Sequence, residues 1–193
     1  GQHNDELHYA IKELRHRGIT LEPELYASLE FVFGLDNYVS DRIQPALTHF
    51  EQSLGVWQQL ALQNESENYN QTIPNTWTTE LDILSNHTSP LVRQGVLLYY
   101  LGLCYSRLAE QNQTENRRHW DTAKSYLQQS CNILQLAQRP DIVAEFISQL
   151  AEVLEHLQEW SELQTVAQKS LELHQIYGSH IQLACDYGFL AQV

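Results

Sequence analysis

Between Gly95 and Ser130 the chain carries two apolar stripes at helical spacing, and each stripe contains small residues. In the first, Leu98, Leu101, Gly102 and Tyr105 fall at i, i+3, i+4 and i+7, which is one face of a 3.6-residue helix. In the second, Trp120, Ala123, Leu127 and Ser130 keep to one face. A mid-helix glycine costs roughly 1 kcal/mol against alanine, so Gly102 implies that another helix passes close to it. Two helices that each mix large and small residues on one face predict an antiparallel hairpin. Residues 109–118 between them read as a long polar connection.

The pattern recurs. Trp120 returns as Trp160 and Ser130 as Ser170, a shift of 160 − 120 = 40, and Leu150 and Ala151 return as Leu190 and Ala191 at the same shift. Leu101 and Gly102 stand 150 − 101 = 49 before Leu150 and Ala151, the same period plus a nine-residue insertion. Self-similarity at a few tens of residues is the signature of stacked helical repeats. It predicts that Trp120 and Trp160 are equivalent core residues.

The hairpin resembles a tetratricopeptide repeat of the long-helix, 40-residue kind. Leu98, Leu101, Gly102 and Tyr105 match the family's pattern on helix A, and Trp120, Ala123, Leu127 and Ser130 match it on helix B. The departures are the period, longer than the family's usual value of about 34, and the connection, about nine residues longer than the family's turn. The resemblance implies an all-α fold, a right-handed α-solenoid of antiparallel helix pairs. It also implies a protein-binding scaffold, as in bacterial signalling chains where such arrays follow a nucleotide-binding switch domain. An assembly chaperone that holds an unassembled subunit is the alternative.

On this reading residues 1–193 form one helical domain. A first helix covers 4–17, with Asn4 as cap and Leu7, Ile11 and Leu14 as its stripe, and Gly18 ends it. A second starts near Thr20 with Pro23 in its first turn and runs to Val39, and a third runs from Asp41 to Leu62. Gly34, Ala46, Phe50 and Ser53 make these a degenerate repeat, so 4–62 is the amino-terminal part. Residues 63–90 are a polar insert, 91–137 and 138–177 are repeats, and 178–193 begin a further one. Methionine is absent even at position 1, so the chain reads as a piece of a longer one that stops within a repeat. The apolar face of Tyr187, Leu190 and Ala191 then needs a cap, and a homodimer through this end supplies it.

The formal charge of −13, from 24 acidic and 11 basic residues, disfavours nucleic acid and anionic membrane surfaces as partners. No apolar run reaches the roughly 18 residues of a membrane span. Cys104, Cys131 and Cys185 sit inside apolar helices and read as buried reduced thiols, which fits a cytoplasmic protein. Asn-x-Ser/Thr triplets at Asn64, Asn70, Asn86 and Asn112 fall in loops rich in these residues and read as chance.

No phosphate loop, dinucleotide fingerprint, CxxC or HExxH spacing is present, so the chain reads as non-catalytic, with no cofactor and no metal. Glu152 and His156, four apart, are two ligands without a third. The functional clue is the A-helix stripe that the hairpin leaves unused. It holds Val96, Tyr99, Leu103 and Arg107 in one repeat, and Glu145, Ser148, Glu152 and His156 in the next. The amino-terminal equivalents are Ser28, Phe31, Leu35 and Val39. The resemblance implies that these stripes line a peptide groove. Its floor would pass from aromatic and aliphatic at Phe31, Leu35, Tyr99 and Leu103 to acidic at Glu145, Glu152 and Glu155. The matching partner is a peptide or protein segment that is apolar at one end and basic at the other.

Overall fold

A computed structural model describes Tyr9, Glu13, His16, Arg17 and residues 20–64, 89–111 and 114–193. Among them the regular structure is entirely helical: α1 (Pro23–Val39), α2 (Ile43–Asn64), α3 (Pro90–Gln111), α4 (Asn116–Leu136), α5 (Pro140–Leu157), α6 (Trp160–Tyr177) and α7 (His180–Leu190). Each helix packs against the next in sequence, so α1/α2, α3/α4 and α5/α6 are antiparallel pairs stacked into a solenoid, with α7 laid against α6 and α5. The helix expected over 4–17 lies mostly outside the described residues; Tyr9, Glu13 and His16 are helical. Of the insert expected over 63–90, residues 65–88 also lie outside them, with Asn70 and Asn86, as does Asn112. No described helix is long and apolar enough to cross a membrane.

The local chemistry of the helix ends sets this order. The first helix of each pair, α1, α3 and α5, opens with a proline, whose missing N–H falls where a helix start has no partner for it. Gln138, between α4 and α5, and Gln158, between α5 and α6, take left-handed backbone angles (φ 56° and 59°) that reverse the chain within two or three residues. Ser179 caps α7 in a reciprocal box with Gln182. The long connection expected over 109–118 is instead mostly helix. Ala109, Glu110 and Gln111 finish α3, and Asn116, Arg117 and Arg118 begin α4. The nine extra residues therefore go largely into longer helices, which satisfy their own backbone groups where a loop would leave them to solvent.

The pairs α1/α2 and α3/α4 are closed by the same two contacts. The first is a large side chain of the second helix seated on a small residue of the first. Leu127 covers Gly102, Leu134 covers Gly95 and Phe50 covers Gly34, each so closely that an added Cβ would lie within 2.4–2.7 Å of it. The second is a side-chain hydrogen bond to a first-helix carbonyl seven residues before that small position. Ser53 Oγ donates to the Ala27 oxygen at 2.7 Å, and Ser130 Oγ donates to the Gly95 oxygen at 2.7 Å. In the third pair the equivalent oxygen, on Ala144, is bonded by His174 Nε2 at 2.7 Å, one turn beyond Ser170. The period recovered from sequence holds in the core: Ala123 and Leu163, Leu127 and Ala167, and Ser130 and Ser170 are all fully buried.

One equivalence fails. Trp120 is 7% exposed and stacks on the His156 ring of α5 at 4.2 Å, but Trp160 is 44% exposed. The ring that covers Trp120 comes from α5, the next first helix, whereas α7, its counterpart, ends at Leu190 and leaves Trp160 exposed. Trp160 has the right position and no covering helix. The cysteine reading is corrected in the same region: Cys104 and Cys131 are buried free thiols, but Cys185 on α7 is exposed.

Trp120→Ala should therefore cost about 3–5 kcal/mol in urea unfolding, against less than about 1 kcal/mol for Trp160→Ala. Glycines divide the same way. Gly102→Ala should destabilise despite a helix-propensity gain of about 1 kcal/mol. Gly55→Ala on α2, where nothing lies within 4 Å of the added carbon, should stabilise by about that gain.

Candidate interaction face and the buried polar cluster

The first helices of the pairs, α1, α3 and α5, stand in one row, and an aromatic chain crosses it. Tyr100 of α3 stacks on Phe50 at 5.4 Å and meets Phe31 and Tyr38 of α1 edge-on at 5.5 and 6.2 Å. Its neighbour Tyr99 lies edge-on to it at 5.5 Å and stacks flat on Phe146 of α5 at 3.7 Å. Burial pushes the Tyr99 hydroxyl above the usual phenol range, and Tyr100, Tyr38, Glu145 and Glu152 reinforce the shift, in that order. Tyr99 therefore stays a hydrogen-bond donor within reach of the field of both carboxylates.

The residues singled out from sequence are placed unequally. Phe31 is only 7% exposed, its ring spent on Phe50 and Tyr100, so it forms a backing layer more than a surface. Val96 is buried, Ser28, Leu35, Leu103 and Glu155 are half-buried, and Val39, Glu145 and Glu152 are exposed. Ser148 is half-buried, and its Oγ is enclosed with no hydrogen-bond partner among the described residues. Arg107 is exposed, pairs with Glu110 at 3.5 Å and reaches back to the Tyr38 hydroxyl. His156 is exposed on one side and covered by Trp120 on the other. Tyr99, Glu145 and Glu152 thus come together across α3 and α5, while Phe31 stays behind them. Tyr38, Tyr100 and Phe146 lie outside the sequence stripes. They sit next to stripe residues, at positions that meet the neighbouring helix pair, which a one-helix period does not report.

A serine, a histidine and an aspartate do converge, at the junction of α6 and α7. Ser170 Oγ donates to Asp186 Oδ1 at 2.6 Å, and His174 Nδ1 lies 2.6 Å from Asp186 Oδ2. A carbonyl oxygen only accepts, so His174 Nε2 carries a proton toward Ala144. One further proton is shared between Nδ1 and the carboxylate. All three side chains are sealed from solvent, and the serine proton points at the aspartate and not at the imidazole. The cluster has no opening to solvent through any of its three side chains, and its bonds lock α6 to α7 and to α5. Burial alone holds the Cys104 and Cys131 thiols up, to about 12 and, slightly offset by Lys169, about 11, which keeps both unreactive. No group of three or more His, Cys, Asp or Glu able to hold a metal occurs among the described residues.

The lock replaces an apolar contact. Four residues past Ser53 and Ser130 stand Trp57 and Leu134, both buried, where Ser170 is followed by His174. Asp186 likewise occupies the position of Leu97 and Phe146 in the preceding pairs. A histidine where the period demands a large apolar residue was the one sequence signal of this cluster.

Compared with protein-family models, curated proteins and solved structures, the chain matches none of them.

Breaking the lock on one side should be costly and breaking both sides mild. His174→Leu alone strands a buried carboxylate and should cost about 3–5 kcal/mol in urea unfolding. The double variant His174→Leu/Asp186→Leu restores the apolar pairing of the other junctions and frees Ser170 to bond the Ala144 oxygen, so it should fall within about 1 kcal/mol of the unaltered chain.

Proposed function

We propose that this chain is a tetratricopeptide-like interaction module that performs no chemistry and holds an extended segment of another protein along the row of α1, α3 and α5. The observation that carries the reading is the meeting of Tyr99 and Phe146 with Glu145 and Glu152 across two first helices. It sets an aromatic surface beside exposed carboxylates, on a row of helices whose other sides are used for packing. Three helices about 10 Å apart span on the order of 20–30 Å, the length of roughly six to nine extended residues. Leu35, Tyr99 and Leu103 would take large apolar side chains, with Phe31 behind them. Glu145, Glu152 and Glu155 would take Lys or Arg with the enclosed Ser148 between them, and Arg107 and His156, at equivalent positions on α3 and α5, border one edge. The overall charge of −13 favours the same basic partner at long range.

The test is selection of random nine-residue displayed peptides on the immobilised chain. Recovered peptides should share aromatic or aliphatic residues at one end and Lys or Arg at the other. Exposed ion pairs are worth about 0–1 kcal/mol each, so Glu145→Lys with Glu152→Lys should weaken such a peptide by up to roughly tenfold or somewhat more and flatten its salt dependence. Peptides that bind the double variant equally well, or carry no basic residues, would place the binding face elsewhere.

A further inference from the structure

Helix α7 repeats the first helix of a pair, and the side that its predecessors use is bare. The register position held by Ala27, Gly95 and Ala144 is held in α7 by Ala184. The next position, Glu30, Leu98 and Ile147, becomes Tyr187; then Phe33, Leu101 and Leu150 become Leu190; and Gly34, Gly102 and Ala151 become Ala191. Every one of these residues in α1, α3 and α5 is buried. In α7, Ala184 and Ala191 are exposed, Tyr187 is 59% exposed and Leu190 is half-buried. Ile181, 77% exposed, and Gly188, with nothing within 4 Å of an added Cβ, extend the same face.

We infer that this face is an interface with a second copy of the chain, α7 packing antiparallel on α7 about a twofold axis. Three features of the helix favour a copy of itself. It carries both halves of the contact that closes other pairs, with Ala191 as a seat, Ile181 as the bulky group that fills it, and Ala184 and Gly188 as small residues that let two helices approach. These are placed symmetrically about Asp186: Ile181 and Ala191 are equally far from it, as are Ala184 and Gly188, and Cys185 and Tyr187. In an antiparallel pair Ile181 therefore meets the partner's Ala191, and Gly188 meets the partner's Ala184. The charge also fits. α7 has no Lys, Arg or Glu, and its one Asp is turned inward to His174, so two chains of charge −13 can approach here without setting carboxylates against each other. The face continues the interface already made three times within the chain, and a twofold contact closes it without leaving a further bare end. The helix is about 16 Å long, so the contact is small and the association weak.

The 193-residue chain, sedimented from about 1 to about 200 μM, should shift from the mass of one 22.4 kDa chain toward twice that mass. Gly188→Arg has open space in the single chain and should leave its melting at low concentration undiminished, raised if anything by the helix-propensity gain, while weakening the dimer at least tenfold. A short bis-maleimide should join two chains through Cys185 in the unaltered protein, and Cys185→Ala should abolish the product, since Cys104 and Cys131 are buried. A chain that stays single at the highest concentration overturns the proposal. A Gly188→Arg dimer as tight as the original overturns it as well, because the contact would then lie elsewhere. Peptide selection on the α1, α3 and α5 row is read independently of either result.

Discussion

The fold depends on close approach of two helices, repeated pair by pair, at a small residue on one helix and a hydrogen-bond donor on the other. Without a Cβ at Gly34, Gly95 and Gly102, the rings and branched ends of Phe50, Leu134 and Leu127 rest directly on the facing helix. Helices this close bury backbone carbonyls that already serve their own helix, and Ser53 and Ser130 give two of those oxygens an additional donor. The donor fixes the register of the two helices and the small residue fixes their distance. Hydrophobic burial, about 25 cal/mol per Å2 of apolar surface, then supplies most of the stabilisation but little of the specificity.

At the α6/α7 junction the same geometry is kept with different chemistry. His174 takes over the carbonyl that a serine holds elsewhere, Ser170 is released to Asp186, and the imidazole and carboxylate replace a large apolar contact. A buried pair of this kind contributes little net stability against an apolar pair of the same size, because desolvation offsets the attraction. What it adds is selectivity. The carboxylate of Asp186 matches the donors that α6 presents at that position, which ties α7 to its place while its outer side stays uncharged.

Much of this was legible in the residues. Gly102 announced a close helix, the recurrence of Leu101–Gly102 as Leu150–Ala151 gave the period, and the offset from Gly34 to Ala46 identified the first pair. Legibility ended where the outcome depends on a neighbour outside the helix being read. Trp160 matches Trp120 in position, yet its exposure is decided by whether a later helix reaches over it. The polar run 109–118 looks like loop because its residues lack an apolar stripe, but past the buried Ala109 the helix ends at Glu110, Gln111, Asn116, Arg117 and Arg118 are exposed and need none. The row of Tyr38, Tyr100, Tyr99 and Phe146 joins helices far apart in sequence, so its members surface only when the pairs are stacked. For the candidate face, the acidic stripe on α5 was readable directly, whereas the withdrawal of Phe31 behind Tyr100 was not.

The most direct test of the repeated interface is urea unfolding of Ser53→Ala, Ser130→Ala and the double variant. If the two pairs are built alike, each substitution removes the same buried bond and costs about 1–3 kcal/mol. The two bonds share no partner, so the double variant should lose the sum to within about 0.5 kcal/mol. A silent result at either serine, with a full cost at the other, would mean that the two pairs do not share one interface and that their common spacing is coincidence.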